Sequence, residues 1–236
     1  MSGREADYSK GADRAVSLAW LALLGAIIAM LAVPASREAF AEATRNHPYL
    51  LGFLKIAVLG TMGELLGAKL VVRRWRLRGI RLYQRVLVWG FLGIVFTVVF
   101  PLFAYGTAGL LAEGLLPGEG NVFLTAMWTS VCLNLIFAFP MMVFHRITDT
   151  LIDRGELFRV WPVVSVISGI DWNNMVRIVG LACLWFWIPA HTITYLLPPE
   201  FRVMSAALLA IALGFIMGMA KRRAMAAAQA EMSKAA

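Results

Sequence analysis

Apolar residues run along this chain in six long blocks, with short polar stretches between them. The blocks cover residues 15–33, 49–72, 86–111, 121–144, 175–197 and 203–220. Crossing a bilayer takes about 20 mostly apolar residues at 1.5 Å rise each, and every block reaches or nearly reaches that length. The pattern predicts an all-α fold: a polytopic helical bundle with six transmembrane helices.

Two of the linkers carry a pattern of their own. "SREAFAEATRNH" opens with Ser36 as a capping residue, has Glu38 in its first turn and ends before Pro48, which predicts an interfacial helix on the outer face. Residues 145–174 first prolong the fourth block to Arg154, where Gly155 can stop the helix. The following "LFRVWPVVSVISGI" is apolar but only 14 residues long and is interrupted by Pro162. It suits an amphipathic or re-entrant segment on the inner face better than a crossing. The chain then divides into residues 1–35 (N-terminus and first helix), 36–222 (a five-helix membrane unit) and 223–236 (an Ala/Met-rich tail, read as a frayed helix).

Composition strengthens this picture. The 236 residues are 60% hydrophobic and 15% charged, against about a quarter charged in soluble domains. The mean hydropathy is +0.74. The formal net charge of +8 would suit nucleic acid if it lay on one soluble surface, but the basic residues fall in the segments between apolar blocks. Alternate segments hold sixteen Lys and Arg against three, and the positive-inside rule then places both termini in the cytoplasm. The location implied is the inner membrane of a bacterium, or alternatively of a mitochondrion. An apolar run of 19 residues after Arg4, Lys10 and Arg14 reads as an anchor that stays on the chain.

The chemistry lies in polar groups inside the blocks. "HPYLLGFLKIAVLGTMGELLGAKL" carries Lys55, Glu64 and Lys69. Both lysines lie near the ends of the helix and can stretch to the headgroups. Glu64 cannot: it is 15 residues from one end of its block and eight from the other. At 100° per residue Gly60, Gly63 and Gly67 lie on its side of the helix, so a neighbouring backbone can approach closely there. A carboxylate in hydrocarbon costs about 2.5 kcal/mol or more, so Glu64 has to be protonated, paired or hydrated. It is either a structural bond between helices or an acid lining a path.

The remaining signals are softer. Asn134 lies mid-way along its block, where it can glue helices or bind a solute. Pro101, Pro140 and Pro189 should kink three blocks and free carbonyls. Gly63-xxx-Gly67 and Gly214-xxx-Gly218 are packing faces that also permit self-association. His47 and His191 share a depth, but one pair with a member in a linker is weak grounds for haem. Cys132 and Cys183 read as small buried hydrophobes. No zinc spacing, phosphate loop or nucleophile elbow occurs, so neither metal, cofactor nor catalysis is expected.

From the interfacial helix onward, the chain resembles the Mpv-seventeen/peroxisomal membrane protein family. His47-Pro48 followed by Gly63-Glu64 matches that family's His-Pro and its Gly-acid step. In "WIPAHTITYLLPPEFRV", Trp187 and Pro189 correspond to its Trp-Pro, His191 to its Gln, Thr194-Tyr195 to its Asn-Phe and Phe201-Arg202 to its aromatic-Arg pair. The resemblance covers roughly residues 36–222 and implies a pore-forming or permeation role in an inner membrane.

The reading is a channel or transporter for small polar or ionic solutes. Glu64 would line the path, with Asn134, His191, Arg202 and Lys55 near it or at its outer mouth. The rival is a non-transporting scaffold or assembly factor that binds a partner membrane protein. The expected partners are the lipid bilayer and either a second copy of the chain or another membrane protein, with no nucleic acid.

Overall fold

The structure is a computed structural model that describes residues 3–235 and the side chains of residues 10–226, 229 and 232. Helices account for its regular structure: α1 (Gly3–Ala32), α2 (Pro34–Asn46), α3 (Pro48–Val72), α4 (Leu82–Ala112), α5 (Val122–Leu133), α6 (Phe139–Arg154), α7 (Val163–Ser168), α8 (Trp172–Asn174), α9 (Ile188–Leu196) and α10 (Pro199–Ala235). Six helical runs are long and apolar enough to cross a membrane: Lys10–Ala32, Pro48–Val72, Leu82–Ala112, Val122–Arg154, Trp172–Leu196 and Pro199–Ala226. These coincide with the six apolar blocks, most of them extended by several residues at one or both ends.

Two of these runs contain π-helical turns, and both turns precede a proline. Asn134–Ala138 joins α5 to α6 ahead of Pro140, and Cys183–Trp187 leads into α9 ahead of Pro189. Proline lacks an amide proton, and its ring collides with the carbonyl four residues earlier. Widening the preceding turn relieves that collision while keeping the run helical. A further π segment, Met175–Gly180, follows α8. At Pro101 the helix stays α-helical, so the Thr97 carbonyl has no amide to receive at position 101.

Glycine decides the central packing. A Cβ on Gly63 would sit 2.7 Å from the Ala210 carbonyl oxygen, and one on Gly218 would sit 2.9 Å from that of Gly67. The two small-xxx-small faces therefore interlock with each other, α3 against α10. They are consumed within one chain and are not left over for self-association. Gly60 faces a different neighbour, α4, where a Cβ would lie 2.7 Å from the Trp89 ring. The glycine side of α3 is thus divided between two helices.

The connections differ at the two ends of the bundle. At one end, residues 73–81 carry five arginines between α3 and α4, and Arg73 and Arg81 flank this loop in left-handed conformation. Arg81 donates to the Ile152 and Asp153 carbonyls at 2.7 and 3.1 Å, adding to the Gly155 amide that Ile152 already receives where α6 ends. Gly155 closes α6 with φ 77°, the left-handed stop expected there. At the far end, Asn121 caps α5 through the Leu124 amide at 3.0 Å. Leu197 and Pro198 turn α9 tightly into α10.

The interval between α2 and its neighbours corrects one expectation. α2 begins at Pro34, not Ser36, with Val33 at its N-cap. Proline is favoured in the first helical turn, where its missing amide costs nothing. The Ser36 hydroxyl donates to the Met30 and Val33 carbonyls instead of capping. Of residues 155–171, only α7 is helical, broken from what precedes it by Pro162.

Candidate functional site

Glu64 is paired. Arg85, in the first turn of α4, places its guanidinium against the Glu64 carboxylate as a salt bridge. Trp89, one turn further along α4, donates its indole N–H to Glu64 Oε2 at 2.9 Å. Arg85 also reaches Asp149 Oδ1 at 3.3 Å and Asp153 Oδ1 at 2.6 Å, both on α6. One guanidinium thus binds carboxylates from two helices, using the forked geometry that suits arginine to such sites. The buried His145 packs against Trp89 with ring centroids 4.3 Å apart and planes tilted by 50°, and its Nε2 lies 3.7 Å from Asp149 Oδ2. Its Nδ1 has no partner among the described residues.

These residues sit together because α3, α4 and α6 meet near the arginine-rich end. His145, Asp149 and Asp153 recur every four residues, one face of α6, and Arg85 and Trp89 do the same on α4. The sequence pattern singles out neither Arg85 nor the α6 acids. The four-residue spacing was the available signal. Glu64, His145 and Asp149 present ligand atoms within 4.8 Å of one another, a spacing compatible with a metal ion. Arg85 already binds two of the three, and so supplies the positive charge such an ion would bring.

The cluster borders a cavity of about 1110 Å³. Its floor is α3 (Gly60, Glu64, Gly67), and α10 (Leu213, Gly214, Met217) faces the Met175–Gly180 segment across it. Most of the lining is apolar. His191 and Trp187 line its deep end, and Arg146, Asp171 and Lys221 stand at the arginine-rich end. The cavity exists because α10 packs against α9 near their shared turn, while the segment before α9 lies across the gap from α10.

His191 is buried and stacks on Trp187 at 4.9 Å with 26° between the planes. Asn134 holds it: Nδ2 lies 3.2 Å from His191 Nδ1 and donates to the Ser130 carbonyl at 2.8 Å. Asn134 is only 1% exposed and stays behind the cavity wall, so its contacts are those of a helix-to-helix bond between the fourth and fifth runs.

Lys55 and Arg202 belong elsewhere. Both line a second cavity of about 450 Å³ at the far end, with Thr97, Pro101, Tyr105 and Glu200. Lys55 does not stretch toward headgroups: it is 4% exposed and donates to Thr44 Oγ1 at 2.8 Å and to the Glu200 carbonyl at 3.4 Å. Its ammonium lies 4.4 Å from the centre of the Phe40 ring. Having α2 over it and the start of α10 beside it, Lys55 is held by protein. Lys69 is likewise paired, to Asp13 on α1. Arg202 donates to the Leu197 and Tyr195 carbonyls at 3.1 and 3.3 Å, anchoring the α9–α10 turn.

The sequence-selected residues therefore divide into three places. Glu64 and His191 share the large cavity, Asn134 supports His191 from behind, and Lys55 and Arg202 share the small one. Phe100, which sequence reading passed over, is the one residue common to both linings. It is 3% exposed. The His191 ring meets it edge-on at 5.6 Å, and the Tyr195 hydroxyl donates to its carbonyl at 3.3 Å. Compared with known proteins, the chain matches no family model, no curated protein and no solved structure.

Proposed function

We propose that this chain is a multi-pass inner-membrane protein of transporter or channel type that passes small polar or ionic solutes. Its arginine-rich end would face the cytoplasm, as the basic-residue asymmetry favours. α2 would lie at the outer interface and residues 155–171 at the inner one. The resemblance to the Mpv-seventeen/peroxisomal membrane protein family, through His47-Pro48 and Gly63-Glu64, belongs to the same proposal.

One observation carries the reading: two cavities lie toward opposite ends of the bundle, and Phe100 is on the lining of both. That is the layout of a path closed at a single aromatic constriction, with Glu64 and His191 on one side and Lys55 and Arg202 on the other. The test is solute release from liposomes containing the purified protein. Release above that of protein-free vesicles, altered in Glu64→Gln, supports transport.

A second reading has its own support. The Glu64–Arg85–Asp149–Asp153 network ties three helices together, as a rigid scaffold would require. Vesicles no leakier than protein-free ones, with wild type and Glu64→Gln alike, favour that reading.

A further inference from the structure

The large cavity is mostly apolar along its length, which a path for bare ions would not need, and its unpaired charges are confined to one end. The acids on its lining are engaged: Glu64 by Arg85 and Trp89, and Asp171 by the Asn174 amide and side chain. The cations there, Arg146 and Lys221, are exposed and form no salt bridge among the described residues. From Lys221 to Ala206, both on the lining, α10 rises about 22 Å. That exceeds the roughly 15 Å depth of one hydrocarbon leaflet. The volume, about 1110 Å³, lies above the roughly 300–1,000 Å³ usual for small-molecule pockets.

We infer that the cavity is a binding site for an anionic amphiphile with one long apolar chain. The acidic head rests between Arg146 and Lys221, and the tail runs over the α3 glycine floor toward Trp187 and Phe100. Cations at the mouth and apolar walls behind them match such a molecule at both ends. The inference goes beyond the transport reading and stands on the cavity's walls and mouth alone, since such an amphiphile is not one of the small polar or ionic solutes proposed there.

Two tryptophans on the lining, Trp89 and Trp187, make occupancy measurable. The experiment titrates the full chain in detergent with dibromostearate, whose bromines quench indole fluorescence on contact. The expected result is saturable quenching that unbrominated stearate reverses and that shrinks in Trp187→Phe. Replacing both mouth cations, Arg146→Gln with Lys221→Gln, should weaken binding about tenfold or more, since each basic residue near an anionic head contributes appreciably. Both side chains are exposed, so the fold should survive, and a dibrominated uncharged monoacylglycerol should bind equally to wild type and variant. Quenching that never saturates, or saturates identically in the double variant, overturns the inference. Solute flux without amphiphile binding would remove this inference and leave transport standing. Binding without flux would do the reverse.

Discussion

Arg85 holds Glu64 from the neighbouring helix, and the same guanidinium holds Asp149 and Asp153 from a third. The two partners are therefore not equivalent. Removing Glu64 leaves Arg85 with two carboxylates, whereas removing Arg85 leaves three acids close together with no cation between them. Breaking a buried pair from one side costs about 3–5 kcal/mol, less where water reaches it, as it does here. Arg85→Ala should thus destabilise the protein by about 2–3 kcal/mol, and Glu64→Gln by about 1 kcal/mol. Thermal unfolding in detergent checks this, and equal losses would contradict it.

The α3–α10 interface predicts a second result. Gly63→Val would drive side-chain atoms into the Ala210 backbone, which cannot give way as a flexible side chain can. The loss should reach about 3 kcal/mol or more, the scale of severe overpacking. Gly106→Val on α4 is the control, because a Cβ there meets nothing within 4 Å. Folded yield by size exclusion should fall for the first and hold for the second.

If Phe100 closes the path, shortening it should open it. Phe100→Ala is expected to raise solute release from liposomes several-fold, while Phe100→Leu should leave it near the wild-type level. Both removals of aromatic bulk will cost stability, about 3–5 kcal/mol for alanine. Release is therefore scored per folded molecule. Unchanged release in Phe100→Ala would place the constriction elsewhere.

The orientation is open to direct chemistry. Single cysteines at Arg78 and Glu119 lie in connections at opposite ends of the bundle, and the native Cys132 and Cys183 are first replaced by alanine. A membrane-impermeant maleimide added to intact cells should label Glu119→Cys. It should reach Arg78→Cys only after the membrane is opened. The reverse pattern would invert the topology.

Much of the architecture was legible because apolar length is a strong, local signal. Six blocks gave six long helices, and Gly155 stopped α6 as its freedom at positive φ allows. Partnership was harder to read. Glu64 plainly needed a receiver, yet nothing local pointed to Arg85, because the pair exists only where α4 lies beside α3. Lys55 illustrates the opposite error. Its distance from the helix end permitted escape to water, but α2 and the start of α10 cover it, and covering is a long-range property. The glycine motifs were recognisable as surfaces for close approach, while their mutual pairing depended on the bundle's topology.

That pairing has a bearing on how the protein is made. α3 finds its principal neighbour in the last helix of the chain, about 150 residues later. At roughly 5–20 residues per second of synthesis, the second run waits on the order of ten seconds for its mate. Until then its exposed groove is a bare backbone ridge in lipid, which the bilayer accepts at little cost, and Arg85 has already arrived to neutralise Glu64. Closure of α3 waits for α10, so a chain cut short before that helix is expected to insert but stay ajar.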